Sequence, residues 1–311
     1  MTKVYLNHDG GVDDLVSLFL LLQMDQVDLV GVGVINADCY LEPALSASLK
    51  LAHRFGKGQS ISIAGSNSRG KHPFPSDWRM HAYYIDALPI LNETLPLEVA
   101  ASPLPAHEDL IRLLKESDEK LSLIFIGPLT DLARALEEDG TIEDKIDKLY
   151  WMGGTFLEEG NVAEPNHDGS AEWNAYWDPW SVKRVFDSSI EIDMVALEST
   201  NQVPLTLDLR QSWSKERKFL GMDFLGQAYA MVPPLVHFQT NSTYFLWDVL
   251  TTMSFHKPNL VKKRQVKAKV VDQGPSQGKT YLDPQGRPLN LVDQVEGQAF
   301  FSAIENLAKK I

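Results

Sequence analysis

The segment Asn7-His8-Asp9-Gly10-Gly11-Val12-Asp13-Asp14 places three carboxylates within six positions. Carboxylates this close repel one another unless something neutralises them. A hard divalent cation with oxygen ligands is the usual partner. A simpler use exists for two of them: Asp13 and Asp14 would suit the first turn of a helix, whose N-terminus attracts negative charge. Capping has no need of Asp9 ahead of a Gly-Gly pair, and that pair permits a tight backbone that a ligand could approach. Acid turns of this kind also occur in phosphotransferases, so the segment alone does not name a reaction. A phosphotransferase would need a phosphate-gripping loop or a basic cluster beside the acids, and the sequence has neither.

The flanking residues say where these acids stand. Val4-Tyr5-Leu6 reads as a buried strand and Leu15 to Met24 as an apolar-periodic helix. Further strands are expected over Val27–Ile35, Ile61–Ala64, Leu121–Ile126, Lys148–Met152 and Glu191–Ala196. Helices are expected over Pro43–Phe55, His107–Lys115, Thr130–Glu138 and Pro179–Phe186, with Pro179 suited to a first turn. This alternation predicts an α/β fold with a mostly parallel central sheet flanked by helices, in a single domain over residues 1–311. Ligands of such sheets bind at the C-terminal edge of the strands. Residues after Val203 read as mainly helical to about Phe255. Short strands follow from Lys267, and a helix over Glu296–Lys309 ends the chain. Two irregular stretches, Ser66–Pro105 and Gly153–Trp177, are long enough to suggest functional loops.

Composition narrows the class of partner. The chain has 311 residues, 44% hydrophobic and 23% charged, enough for a full core. The formal net charge is −13 and the pI about 5.0, which argues against nucleic acid or an anionic membrane surface as partner. Cys39 is the single cysteine, which fits a reducing compartment. No charged leader followed by an apolar stretch opens the sequence, and no apolar run approaches the ~20 residues of a membrane span. These features predict a cytoplasmic protein with a small-molecule substrate.

Several other expected strand tips share a polar and aromatic character: Asn36-Ala37-Asp38-Cys39, Gly127-Pro128-Leu129-Thr130-Asp131, Met152-Gly153-Gly154, Asn161, Ala171-Glu172-Trp173-Asn174 and Trp177-Asp178-Pro179. Far along the chain stands Tyr244-Phe245-Leu246-Trp247-Asp248. A parallel sheet brings such segments to one edge. Each has an ordinary reading too. Asp38, Asn161 and Asn174 suit loop turns, the tryptophans suit a core, and Asp248 suits a helix surface.

In order and spacing these segments resemble the nucleoside hydrolases, and within them the purine-specific inosine-adenosine-guanosine group. The motifs are LNHDGGVDD, NADCYLEPA, PFPSDWR, IGPLTDLA, YWMGGT, GNV with DGSAEWNAYWDP, and YFLWDVLT. The resemblance implies hydrolysis of the N-glycosidic bond of purine ribonucleosides. It implies one Ca²⁺ held by Asp9, Asp14, the main-chain carbonyl of Ile126, and Asp248. Asp9 would be the base for the attacking water. Asp13, Asn161, Glu172 and Asn174 would hold the ribose hydroxyls, with Trp173 beside them. Trp78 and Trp247 would sandwich the base, Tyr244 would stand near it, and Asp38 would be a general acid. A homo-oligomer, in the form of a dimer, is also implied. The chain departs from the pattern at Asn7, where the family usually has Asp, at Gly11 in place of an Asn, and at Gln239 in place of an arginine near the base. A broad or pyrimidine-preferring member would typically carry His where Trp247 stands. A nucleoside- or sugar-binding protein without turnover is the reading that Asn7 and Gly11 leave open.

Overall fold

A computed structural model describes residues 1–94, 96–97, 99–230, 232 and 244–311; Gln239 lies outside the described residues. In chain order the elements are β1 (Thr2–His8), α1 (Val12–Leu22), β2 (Val27–Val34), α2 (Leu41–Phe55), β3 (Ser62–Gly65), α3 (His81–Asp86), α4 (Pro89–Asn92), α5 (Ala106–Glu116), β4 (Leu121–Phe125) and α6 (Thr130–Glu138). They continue with β5 (Ile146–Met152), α7 (Trp173–Trp177), α8 (Pro179–Phe186), β6 (Ile192–Val195), α9 (Leu197–Thr200), α10 (Leu207–Lys215), α11 (Leu220–Ala230), α12 (Trp247–His256), β7 (Val261–Val270), β8 (Thr280–Leu282), β9 (Arg287–Val295) and α13 (Gly297–Ala308).

Among the described residues the strands form one nine-stranded sheet in the order β3-β2-β1-β4-β5-β6-β9-β7-β8. Pairing is parallel from β3 through to β9, and antiparallel where β7 meets β9 and β8. The central strands read as continuous apolar runs because both sheet faces are covered. On one face Val4 and Leu6 pack with α1, α2, α11, α12 and α13 residues such as Phe19, Leu51, Phe224, Leu250 and Phe300. On the other, Tyr5, Phe125 and Trp151 pack with Leu110 of α5, Leu132 of α6 and Val182 of α8.

Two features differ from the sequence pattern. The C-terminal sheet starts at Val261, six residues earlier than expected, because β7 opens with Val-Lys-Lys-Arg-Gln, whose four polar residues are all exposed. Such a stretch has no apolar alternation to betray a strand. The irregular stretches hold short helices, α3 and α4 in the first and α7 in the second. Each is too short to set up a visible helical period.

Candidate functional site

The parallel strands β1, β2, β4 and β5 end on one edge, and their following turns build a cavity there. Its lining includes Asp9, Asp13, Asp14, Asp38, Trp78, Ile126, Asn161, Glu172, Trp173, Asn174, Tyr244, Trp247 and Asp248, every residue to which the resemblance gave a site role. Phe74, His81 and Met152 line it as well and had been given no role. Phe74 and Met152 lie inside the quoted motifs PFPSDWR and YWMGGT, whereas nothing local marks His81.

The turn after β1 depends on Gly10. Its φ is +90°, and a Cβ there would stand 2.5 Å from the Ala44 Cβ of α2. Only glycine takes that conformation without strain. The tight turn delivers Asp9 to the cavity and starts α1 directly after it. Gly11, the residue before α1, provides no side-chain cap. Asp13 and Asp14 stand in the first turn of α1 and Asp248 in the first turn of α12. The two helices pack together, so their N-termini bring these acids side by side.

Asp13, Asp14 and Asp248 are all buried and each offers one carboxylate oxygen within 4.8 Å of the other two. The Asp9 N–H donates to Asp14 Oδ1 at 3.1 Å, and the Asp248 N–H to Asp13 Oδ2 at 3.0 Å. Tyr244 donates its hydroxyl to Asp13 Oδ1 at 2.5 Å. The Oδ1 of Asp248 is buried with no hydrogen-bond partner. This convergence differs in one member from the expected ligand set: Asp13 faces Asp14 and Asp248, and Asp9 stands next to Asp14. The chemistry of the donors is uniform. All are oxygens, as a hard cation requires, and no histidine or cysteine of the kind zinc favours is among the converging residues. The Ile126 carbonyl accepts from Asn174 Nδ2 at 3.3 Å and keeps a second lone pair.

Burial, followed by the charge of neighbouring acids, raises the Asp9, Asp38 and Asp248 carboxyls well above the usual carboxylate range. Asp14 is pushed up to about 7 by burial and by Asp13. Asp13 is raised by burial, against hydrogen bonds from Tyr244 and Asp248. The site thus holds negative charge only at a cost that a bound cation would remove.

Around this floor, loop residues are locked by hydrogen bonds. Glu172 is the N-cap of α7: it accepts from the Asn174, Ala175 and Gly154 N–H groups at 2.8, 3.1 and 2.7 Å. Burial nevertheless raises it to about 7. A carboxylate has about four acceptor sites, so three N–H donors leave one open to a ligand hydroxyl. Asn161 accepts from the Trp173 N–H at 3.1 Å, and Trp173 Nε1 donates to the Asn161 carbonyl at 3.1 Å. Asp38 Oδ2 receives the Cys39 thiol at 3.9 Å, and the Asp38 N–H donates to Asp9 Oδ2 at 3.1 Å. A Cβ on Gly11 would stand 2.7 Å from both Asp14 Oδ2 and Asp38 Oδ2, so glycine here lets the two carboxyls close in.

Two aromatic groups complete the lining. Trp78 packs edge-on to Trp173 at 5.5 Å, and Phe74 stacks on Trp173 at 4.9 Å. Trp247 packs edge-on to Tyr244 at 4.7 Å. Asn7 does not line this cavity: its Nδ2 donates to Asp131 Oδ2 at 3.2 Å.

Known proteins resemble this chain in sequence and in fold. The sequence model of the family described as inosine-uridine preferring nucleoside hydrolase matches residues 4–302. A rice protein (Oryza sativa subsp. japonica) named probable uridine nucleosidase 2 is 30% identical over 224 residues, covering 70% of this chain and 64% of the relative. The chain thus spans just under two thirds of that relative's length. Uridine nucleosidase 1 of Arabidopsis thaliana is 24% identical over 288 residues, 90% of this chain and 82% of its own. The crystal structure of an inosine-uridine preferring nucleoside hydrolase from Bacillus anthracis, 59% identical, matches with a TM-score of 0.96 over 100% of both chains. On the matched span, the fold and the full-length structural match, this chain belongs to the inosine-uridine preferring nucleoside hydrolase family.

Proposed function

We propose that this protein hydrolyses the N-glycosidic bond of ribonucleosides, purine nucleosides best, to free base and ribose. The observation that carries the reading is one cavity uniting an all-oxygen acidic floor with indole-lined walls. The donor set and the unpartnered Asp248 Oδ1 fit a Ca²⁺ held by Asp9, Asp14, Asp248 and the Ile126 carbonyl, with Asp13 beside them. When bound, the ion would supply Lewis acidity and lower the pKa of water.

The residues then divide the work. Asp9 accepts a proton as water attacks C1′. The C–N bond breaks and its electron pair leaves with the base, while positive charge develops on the sugar. Asp13, Asn161, Glu172 and Asn174 hold the ribose hydroxyls, with Trp173 packed behind. Asp38 donates the proton that the departing base needs. Trp78 and Trp247 stack on the base, near Tyr244, and favour its protonation because indole faces attract cations. The homodimer belongs to the same reading, and light scattering reads it directly.

A second reading is a broad substrate range that includes uridine. It is favoured by the printed name of the Bacillus anthracis structure and by the uridine nucleosidases among the relatives. Release of base from inosine and uridine, with and without EDTA, tests both. Purine preference requires a higher kcat/KM for inosine, and the cation requires loss of activity in EDTA with either nucleoside. Equal values for the two nucleosides would favour the broad reading. No base release from either would leave a binding protein.

A further inference from the structure

Behind the cavity, on the sheet face covered by α5 and α6, a buried polar cluster joins three chain segments. Asp131 Oδ2 accepts from Asn7 Nδ2 at 3.2 Å, and its Oδ1 accepts from the Ser66 and Ser68 hydroxyls at 2.6 Å each. Arg134 closes the far side, donating to Ser68 Oγ at 2.7 Å. Asn7, Ser66, Ser68 and Asp131 are all buried. We propose that the Asn7–Asp131 pair is a positioning clasp that sets the strand tips of the site in register.

The connectivity gives the pair this reach. Asn7 is two residues before Asp9, and its carbonyl accepts from the Ile126 N–H at 2.9 Å. Asp131 stands in the first turn of α6, on the turn that follows Ile126. Ser66 and Ser68 begin the loop that leads from β3 to Phe74 and Trp78. One carboxylate thus ties the segment bearing Asp9 to the segment bearing the Ile126 carbonyl and to the aromatic loop.

The pair is directional. An amide at position 7 gives a donor to a carboxylate that can only accept. An aspartate at position 7 would face Asp131 with like charge in a buried place, which is costly. Asn7 is therefore not a loss from the usual motif but the complement of Asp131. Exchanging the two residue types restores one donor and one acceptor.

The test rests on the proposed hydrolysis and uses Asn7→Asp, Asp131→Asn and the double variant. Asn7→Asp should lower kcat for inosine about 10–100-fold, the usual effect of losing an outer-shell partner. Asp131→Asn should be mild, since Asn7 can turn its amide and use its Oδ1, which has no partner. The double variant should return to within about threefold of the wild type. Retention of kcat in Asn7→Asp would overturn the clasp, as would a double variant that regains its melting temperature but not its kcat. If Asn7→Asp does not fold, an active double variant supports the clasp and an inactive one overturns it. If the wild type releases no base, the functional reading fails separately. Ca²⁺ affinity by calorimetry then judges the clasp: weakened in Asn7→Asp and restored in the double variant, or, if unchanged, against it.

Discussion

Individual carboxylates carry the sharpest expectations. Asp9 is buried, adjoins Asp14 and lines the cavity. Asp9→Asn should keep nucleoside binding and lose about 10²–10⁴-fold in turnover, the ordinary worth of a general base. A rate within about tenfold of the wild type would remove Asp9 from that role. Asp14 supplies a pH argument. Its folded value is raised from 3.8 to about 7, by burial first and the Asp13 charge second. The folded state therefore holds a proton that the unfolded chain releases, and stability falls as pH rises between those values. Asp9, Asp13, Asp38 and Asp248 are raised too and act in the same direction. A cation that satisfies the charged carboxylates offsets this loss. Ca²⁺ should thus raise the melting temperature more at pH 8 than at pH 5, and equal shifts at both would contradict the cluster as its site.

At the scale of elements, two helix N-termini and one glycine turn do most of the positioning. α1 and α12 pack together and present Asp13, Asp14 and Asp248 from their first turns. The same first turn of α12 carries Trp247, so the indole and a carboxylate of the site move as one unit. Trp247 is half-buried, with its ring against Tyr244. Trp247→Ala removes a stacking partner worth ~1–3 kcal/mol per base. Because stacking strengthens as the base gains a proton, kcat for inosine should fall along with affinity. An unchanged kcat with a raised KM would mean that the indole binds the base without activating it.

At the scale of the molecule, the sheet separates two large apolar cores. Trp151 is fully buried in the core beneath α6 and α8, and its Nε1 donates to the Gly127 carbonyl at 3.3 Å. Trp151→Ala should cost ~3–5 kcal/mol, as large-to-small core changes do. Denaturant titration measures this, and a loss under ~1 kcal/mol would mean that the core refills the space. No helix among the described residues is long and apolar enough to cross a membrane. The formal net charge is −13, and surface cations form ion pairs such as Lys3–Asp118, Arg184–Glu137 and Lys310–Asp25.

What the sequence determined by itself was local and periodic. A buried run before Asp9 and an apolar-periodic run after Asp14 place the acids at a strand tip, because the apolar pattern of strand and helix is written in neighbouring residues. The repetition of that pattern implies the parallel sheet, and the sheet implies one edge for all the tips. The tertiary structure decided which groups meet. That Asp13 converges with Asp14 and Asp248 depends on how α12 packs on α1, across more than half the chain. That Asn7 pairs with Asp131 depends on the β1–β4 pairing and the seat of α6. Glu172 as a cap, and Phe74, His81 and Met152 in the lining, follow from loops whose shape has no period to read. Side chains distant in sequence meet only when packing brings their elements together, so neighbouring residues carry no signal of it.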